Sequence, residues 1–211
     1  MIFADIEVVP AVHWDKDTRA YYANKSKTDD PDEAFRETAL HPLRGRIWLI
    51  GLASTASREP TVLINEDPSC DGANARLVSQ LDEMVFKARP PWVGWNCNEY
   101  DWPFLRAAAQ KHNRLNLANA IPHDRWGKKN SIDLALWAKG SRRWIYGLDE
   151  YSRFLGLEGK TKGVDGTQVY DLYKAYLEGD ETALERAIEY VKQDVRMLQT
   201  LWPVYAADTG K

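Results

Sequence analysis

The sequence predicts a mixed β-sheet with helices packed on its faces, in the α/β or α+β class. The first ten residues are apolar and rich in β-branched side chains, which is typical of a buried strand. Two further apolar runs, at residues 46–53 and 61–65, flank a polar turn and predict an antiparallel hairpin beside that strand. A helix, a fourth strand and then several more helices follow, and this order favours a sheet covered by helices.

Between the first strand and the hairpin lies a polar excursion at residues 11–45. It is too long for an ordinary connection, so we expect either an insertion or a functional lid. Pro31 suits the first turn of a helix, and the residues that follow it, 32–40, are good helix formers. The excursion is therefore predicted to be partly helical.

The remaining elements follow from hydrophobic spacing and from residues that stop helices. Residues 113–130 are predicted to be irregular, with no fifth strand placed there, whereas residues 131–138 are predicted to be the end of a strand that leads into a helix. Pro203 is expected to stop the last helix near residue 201, because proline interrupts helical hydrogen bonding. The other segments are predicted as a strand at 92–95 and as helices at 73–88, 102–112, 148–155, 169–177 and about 181–201.

Length and composition bound the class of protein. A chain of 211 residues with 44% apolar residues fits one globular domain with a substantial core. Cys70 and Cys97 are too few for a disulfide framework and too isolated for a zinc site, and no apolar run predicts a membrane span or a signal peptide. We therefore expect a protein of the reducing cytoplasm, or of the host-cell cytoplasm if the chain is viral, with no membrane partner.

The formal net charge of −3 argues against a generally basic nucleic-acid-binding surface. The charge is unevenly distributed, because residues 123–163 carry nine basic and five acidic side chains; this stretch is +4 and the rest of the chain is −7. Arg142 and Arg143 are followed by Trp144, and charge mixed with aromatic rings is typical of single-strand binding sites. A basic rim that guides a nucleic-acid strand and an ordinary solvated surface both explain this pattern.

Asp5 and Glu7 lie in the middle of the first predicted strand. Alternate strand residues share a face, so the two carboxylates are about 7 Å apart along the chain on one side of it. Buried carboxylates are costly to ionise without a positive partner, and a hard cation such as Mg²⁺ or Mn²⁺ is the simplest one. The alternative is a pair of acids that point into water, since an Asp-x-Glu triplet occurs by chance about once in a chain of this size.

Two further acids have positions that suit the same site. Asp101 lies where a strand ends and a helix begins, a place where open sheets hold active sites, although helix capping also explains it. Asp194 falls on the otherwise apolar stripe of the last helix, four residues after Tyr190, so the two side chains share a face. Core packing is the alternative role for Tyr190. Four such acids would satisfy two divalent ions about 3.5–4 Å apart that clamp a phosphodiester.

Three motifs, FADIE, WNCNEYDWPFL and YVKQD, occur in this order and resemble those of the DEDD superfamily of 3′–5′ exonucleases, which has a ribonuclease H-like fold. Tyr190 stands four residues before Asp194, and the residue at minus five is Glu189 and not histidine, so the chain resembles the tyrosine branch. That branch includes the proofreading domains of family B DNA polymerases. The stretches ALHPLRGRIWLIGLA and YGLDEYSRFLGLEGKTKGVDGTQVYDLY are also similar to stand-alone relatives of those domains.

The resemblance implies one exonuclease domain over residues 1–211, with an insertion at about 11–45, in the α/β class. Its mixed sheet would have three antiparallel strands first and parallel strands later. The expected reaction is hydrolysis of the terminal phosphodiester at the 3′ end of single-stranded DNA, which releases a nucleoside 5′-monophosphate. An exoribonuclease of the same superfamily and a catalytically inert nucleic-acid-binding module are the alternatives.

The resemblance also implies roles for single residues. Two Mg²⁺ or Mn²⁺ ions are expected on the four acids, with Asp5 between them, and Tyr190 is expected to orient the attacking water. Relatives often carry Thr or Ser where this chain has Val8, so a hydroxyl for the terminal nucleotide is missing and the backbone amide is the remaining contact. Asn96 is a candidate for contacting the sugar or the terminal base. Further candidates for substrate contact are Ile6, Trp95, Tyr100, Trp102, Arg142, Arg143 and Lys160, of which the three aromatic residues would also suit the core.

Overall fold

The computed structural model describes residues 1–26, 28–57, 59–85, 91–123, 130–160 and 166–210. These residues form five strands, namely β1 (Ile2–Val9), β2 (Arg46–Ser54), β3 (Thr61–Ile64), β4 (Trp92–Gly94) and β5 (Ser131–Asp133). The strands make one sheet in the order β3-β2-β1-β4-β5, so β1 is the central strand.

The strand directions confirm the predicted mixed sheet. β1, β2 and β3 are antiparallel to one another in turn, whereas β4 is parallel to β1 and β5 is parallel to β4. The pairing places Asp5 opposite Gly51 and Glu7 opposite Leu49. On the other side of β1, β4 pairs only with Ile2 and Phe3, so the acid-bearing half of β1 lies beyond that ladder.

Nine α-helices surround the sheet within the described residues. Those predicted after residue 72 are all found, with ends that differ by a few residues or, for the last helix, by more. The helices are α1 (Lys16–Ala23), α2 (Pro31–Arg36), α3 (Asp71–Val85), α4 (Asp101–Lys111), α5 (Leu115–Ala120), α6 (Leu134–Lys139), α7 (Leu148–Phe154), α8 (Val169–Leu177) and α9 (Glu181–Thr209), and short 3₁₀ turns lie at Glu37–Leu40 and Gly166–Gln168.

The alternation of side chains along β1 divides the core between the two faces of the sheet. Ile2, Ala4, Ile6 and Val8 are buried with residues of α3 and α4. Phe3 and Val9 are buried with residues of α8 and α9 on the other face. Asp5 and Glu7 share the parity of Phe3, so they lie on the face that α9 covers.

Gly51 of β2 allows α9 to lie close to the sheet. A Cβ at Gly51 would lie 2.9 Å from a methyl group of Val191 and 2.9 Å from one of Val195. Real Cβ atoms are almost never found at such distances, so glycine at this position sets the separation between β2 and α9. Since Gly51 is opposite Asp5, the same close approach brings α9 next to the acids.

The excursion at residues 11–45 folds back onto the sheet and onto α8. Ala11 N–H donates to the Thr38 hydroxyl over 2.8 Å, which ties its far end to the end of β1. Arg36 forms an ion pair of 2.8 Å with Asp171 of α8. The predicted helix within it is present as α2 and the following 3₁₀ turn, whereas α1 was not predicted. Its role as a lid stays a prediction.

Two sequence-based expectations are wrong. Residues 113–130 are not wholly irregular, because they contain the six-residue α5, which is too short for hydrophobic spacing to reveal; residues 124–129 lie outside the described part. The last helix does not stop near residue 201 but continues through Pro203 to Thr209. Its final turns are held by tertiary contacts, since Trp137 Nε1 donates to Asp208 over 2.9 Å and its ring meets that of Tyr205.

Among the described residues, no helix has both the length and the apolar character that crossing a membrane requires.

Replacing Gly51 by alanine is expected to lower the free energy of unfolding by about 1–3 kcal/mol, because its Cβ would overpack the contact with α9. For a chain of this length the melting temperature should fall by about 2–4 °C per kcal/mol. Gly72→Ala is the matched control, since the nearest atom to a Cβ there is 3.6 Å away, and it should melt at or above the wild-type temperature. A wild-type melting curve for Gly51→Ala would contradict the close packing.

Candidate active site

Three carboxylates meet between β1 and α9. Asp5 and Glu7 come from adjacent same-face positions of β1, and Asp194 comes from the buried side of α9. One carboxylate oxygen of each lies within 4.8 Å of those of the other two. Glu7 and Asp194 are only 8% and 6% exposed, whereas Asp5 is partly exposed. The structure therefore brings together three of the four acids singled out in the sequence as metal ligands.

The fourth acid, Asp101, is held beside this cluster by the backbone of β1. It is the first residue of α4 and is buried, and its Oδ1 accepts the N–H of Ile6 over 3.1 Å. This amide is available because β4 no longer pairs with β1 at that position. Ile6 lies between Asp5 and Glu7 in the chain, so Asp101 is fixed next to both, and the capping role considered for it is not the contact seen.

Burial and mutual repulsion raise the pKa values of these acids. The pKa values of Asp5 and Glu7 lie well above their usual range, first because the groups are buried and then because of the charge of Asp194. Burial raises the pKa of Asp101 to about 8. Burial also raises the pKa of Asp194 to about 6, with Lys160 opposing the rise. The cluster alone cannot carry four negative charges at neutral pH, so its full ionisation needs added positive charge.

Lys160 supplies part of that charge. Its Nζ donates to Oδ2 of Asp194 over 2.8 Å and lies 3.7 Å from the centre of the Tyr190 ring. α7 holds the lysine in place: Asp149 accepts the Lys160 N–H, and Arg153 donates to the Lys160 carbonyl over 2.6 Å. Lys160 was expected to contact the substrate; in the structure its ammonium group binds a carboxylate of the cluster.

Tyr190 lies one helical turn before Asp194 and is buried on the same side of α9. The Lys160 ammonium group described above lies over its ring. A Cβ at Gly166 would lie 3.6 Å from its hydroxyl, so the chain passes close to that oxygen without a side chain. The predicted shared face of Tyr190 and Asp194 is therefore observed, and it directs both groups toward β1.

One oxygen of the cluster has an unsatisfied position that suits a cation. Oδ1 of Asp194 is buried and accepts no hydrogen bond within the described part of the chain, while Oδ2 of the same group is bound by Lys160. A buried acceptor without a donor is costly. The ligand atoms that the cluster offers are carboxylate oxygens, which Mg²⁺ and Mn²⁺ prefer. The residues present therefore fit a hard divalent ion.

The loop between β4 and α4 is held by an acid that the sequence analysis did not single out. Asp133, at the end of β5, accepts the N–H groups of Asn96, Asn98 and Ala135 over 2.9–3.1 Å. Asn96 has a left-handed φ of 55°, and the bond to Asp133 helps to hold that conformation. An aspartate between a strand and a helix was the available signal for this role, since Asp133 also caps α6.

Of the expected substrate contacts, Trp102 takes the core role that was its alternative, and the side chains of Ile6 and Val8 lie away from the acids. Trp102 is a core residue: it is 1% exposed, packs on Trp92 and donates from Nε1 to Ser131. The side chains of Ile6 and Val8 are buried on the face of the sheet opposite to the acids. Odd and even positions of a strand point to opposite faces, so these two residues cannot present side chains to the site. The backbone amide of Val8 stays a predicted contact.

The other expected contacts surround the site at different depths. Tyr100 is half-buried and donates from its hydroxyl to the carbonyl of Ala39 over 3.0 Å. This bond joins the loop between β4 and α4, which we call the active-site loop, to the excursion. Trp95 is half-buried and donates from Nε1 to the carbonyl of Tyr146. Arg142 and Arg143 are exposed on the surface between α6 and α7. Four cations of the basic stretch, Arg125, Lys128, Lys129 and Lys162, lie outside the described residues.

A family model described as RNase_H superfamily matches residues 36–205. The chain belongs to the RNase H superfamily. This confirms the predicted ribonuclease H-like fold, which is a nuclease fold, and members of the superfamily that are nucleases generally use divalent metal ions. The carboxylates of β1 and α9 are therefore in a setting where such ions are expected.

Two comparisons extend this result. An uncharacterized protein of the archaeon Methanocaldococcus jannaschii is 26% identical over 169 residues, which cover 80% of this chain and 88% of that protein. The solved structure of a family B DNA polymerase from the archaeon Pyrobaculum calidifontis matches 97% of this chain with a TM-score of 0.63 and 19% identity. The chain corresponds to only 24% of that polymerase chain, so the likeness concerns the fold of this part.

Asp5→Asn is expected to stabilise the metal-free protein at pH 8. The pKa of Asp5 is raised in the folded state, so the unfolded chain ionises first and the folded state loses stability as the pH rises above about 4. Removing the charge should therefore give a gain in the free energy of unfolding that is absent near pH 4 and grows with pH. Urea unfolding in EDTA at several pH values would measure it.

Asp29→Asn is the matched control, because Asp29 is exposed in the excursion. Its unfolding free energy should follow that of the wild type at every pH. A pH-independent effect of Asp5→Asn, or a loss of stability at pH 8, would contradict the mutual repulsion described for the cluster.

Proposed function

We propose that the protein is a metal-dependent 3′–5′ exonuclease of the DEDD superfamily, in its tyrosine branch, acting on single-stranded DNA. The observation that carries the proposal is the meeting of Asp5, Glu7 and Asp194 with oxygens within 4.8 Å, beside the backbone-bound Asp101. Tyr190, one turn before Asp194, supports the assignment to the tyrosine branch. The RNase H superfamily fold agrees with phosphodiester hydrolysis.

The four carboxylates would hold two Mg²⁺ or Mn²⁺ ions. The buried Oδ1 of Asp194, which accepts no hydrogen bond within the described residues, is one available ligand atom, and Asp5 would supply another from the same cluster. When bound, the ions would lower the pKa of a water molecule and stabilise the leaving oxygen. The chain itself supplies the remaining parts of the reaction: positioning, charge balance and proton handling.

Tyr190 and Lys160 are the residues proposed to prepare the site. The Tyr190 hydroxyl would hold the attacking water by a hydrogen bond, while the ring is fixed by the ammonium group above it. Lys160 lowers the pKa of Asp194, Asp5 and Glu7 against the effect of burial, which keeps more carboxylate available for cations. The terminal nucleotide would lie against the Asp133-bound loop at Asn96, and its release would give a nucleoside 5′-monophosphate.

The direct test is digestion of a 5′-labelled single-stranded oligonucleotide with Mg²⁺. A ladder that shortens from the 3′ end is expected, and Asp194→Asn should lower the rate on the order of a thousandfold, about 4 kcal/mol of transition-state stabilisation. Tyr190→Phe keeps the ring for Lys160 and should lose about ten- to a hundredfold, consistent with removing one proton-handling group. Asp29→Asn is the control and should cleave like the wild type.

The same assay distinguishes the alternatives. Matched single-stranded DNA, duplex DNA and RNA substrates should be cleaved with single-stranded DNA preferred; faster cleavage of RNA would identify an exoribonuclease. An intact substrate in every case, with purified folded protein and Mg²⁺ or Mn²⁺, would contradict an enzymatic role and favour a binding module.

Metal binding can be measured without activity. At ten times its Kd, Mg²⁺ or Mn²⁺ should add about 1.4 kcal/mol to the free energy of unfolding, or about 3–6 °C to the melting temperature. The shift should be largest at pH 8 and small at pH 5, because protons occupy Asp194, whose pKa is about 6, and the other acids whose pKa values are raised. Asp5→Asn should lose most of the shift, and an equal shift at both pH values would contradict the carboxylate site.

A further inference from the structure

A second concave surface lies outside the carboxylate cluster, between α6 and α7. It is a cavity of about 470 Å³ whose wall is largely aromatic and includes Trp137, Tyr146, Tyr151 and Phe154. The rings touch one another: Tyr146 and Tyr151 are nearly parallel with centroids 6.1 Å apart, and Tyr151 lies 6.1 Å from Phe154. We refer to this surface as the aromatic cavity.

One ring of the aromatic cavity is largely open to solvent. Phe154, the last residue of α7, is 80% exposed, and Trp144 in the segment before α7 is 65% exposed. Large apolar side chains grouped on a surface mark a binding site more often than isolated ones do. An incoming planar group could therefore stack on rings that are already held in place by Tyr151 and Trp137.

Cations are interleaved with these rings. Lys139 and Arg142 line the aromatic cavity, and the Arg142 guanidinium lies 5.5 Å from the centre of the Tyr146 ring. Arg143 is exposed beside them, whereas Glu150 is the acid among the lining residues. Rings for bases and cations for phosphates are the two parts that single-stranded nucleic acid needs, and the mixture suits it better than a purely apolar protein segment.

The aromatic cavity contacts the active-site loop through Trp95. Trp95 packs on Tyr151 with ring centroids 5.7 Å apart, and its Nε1 donates to the Tyr146 carbonyl over 3.0 Å. The next residue is Asn96, whose backbone is bound by Asp133 at the candidate active site. A nucleic-acid strand bound with its 3′ end at the acids would therefore have this surface beside its upstream nucleotides.

We propose that the aromatic cavity is a base-stacking subsite for a nucleotide upstream of the 3′ end. This deepens the proposed function and rests on it for the direction of the strand. Tyr146 and Phe154 supply stacking surfaces, and Arg142 with Lys139 binds the neighbouring phosphates. The subsite holds the substrate but takes no part in breaking the phosphodiester bond.

Binding is tested with a fluorescein-labelled twelve-residue oligothymidylate in EDTA, by fluorescence anisotropy at 50–200 mM salt. Phe154→Ala should raise Kd about tenfold, within the usual contribution of one stacked base, while Phe154→Tyr should bind like the wild type. Arg142→Gln should raise Kd and reduce the slope of log K against log salt by about 0.7, the value for one phosphate of a single strand. The exposed Leu177→Ala and Arg76→Gln are controls with expected changes below twofold.

Phe154 and Arg142 are exposed, so their variants should fold; equal melting temperatures would verify this. Wild-type Kd values for both variants, or failure of the wild type to bind the oligonucleotide, would overturn the subsite. If the subsite fails, Phe154-dependent self-association in sedimentation would instead identify a contact with a second copy.

Hydrolysis of p-nitrophenyl thymidine 5′-monophosphate, which has no upstream nucleotide, separates the two proposals. With Mg²⁺, the wild-type protein should hydrolyse it. Weaker oligonucleotide binding by Phe154→Ala and Arg142→Gln, together with absent wild-type hydrolysis, would retain the subsite and reject the exonuclease. Normal wild-type hydrolysis, together with wild-type Kd values for both variants, would reject the subsite and retain the exonuclease.

Discussion

Three carboxylates held within 4.8 Å of one another, two of them buried, cannot all be ionised unless positive charge joins them. The local structure is organised to keep these groups together despite that cost. β1 carries two of them at the centre of the sheet, and α9 brings the third across Gly51, where there is no room for a side chain. The packing of the domain thus offsets the repulsion between the carboxylates, and a bound divalent ion would reduce that repulsion.

Three further contacts hold the surroundings of the cluster. The Ile6 N–H can donate to Asp101 because β4 pairs with β1 only at Ile2 and Phe3. The site therefore begins where that strand pairing ends. Asp133 binds the amides of the loop that leads to Asp101. The Asp149–Arg153 pair of α7 holds the Lys160 backbone. In each case an acidic or basic side chain fixes a backbone segment beside the cluster.

Much of the fold and the positions of the main acids could be predicted because both depend on short periodicities. A two-residue repeat placed Asp5 and Glu7 on one face, and a four-residue spacing placed Tyr190 and Asp194 on another. What depends on tertiary contact was missed: α5 is too short for a periodic signal, and the continuation of α9 beyond Pro203 depends on contacts with Trp137. The roles of the acids remain proposals.

Sequence reasoning also did not distinguish residues of the same type that have different roles in neighbouring parts of the fold. Trp102 and Trp95 are neighbours in one motif, yet the first fills the core and the second joins the active-site loop to α7. Only the path of the chain distinguishes them, since Trp102 lies in the first buried turn of α4 and Trp95 lies in the loop before it. The same difficulty applies to Lys160, which counts as a surface cation in the sequence but is bound to Asp194 in the structure.

The two faces of α7 connect the proposed chemistry with the proposed strand-binding surface. Asp149 and Arg153 on one side hold Lys160 against Asp194, while Tyr151 and Phe154 on the other line the aromatic cavity. A nucleotide stacked in that cavity would therefore contact the same helix that positions Lys160 at Asp194. Since residues three and four apart lie on one side of a helix, this division follows directly from the sequence of α7. The stacking side of α7 would then serve substrate affinity, and the side that holds Lys160 would serve the carboxylate cluster.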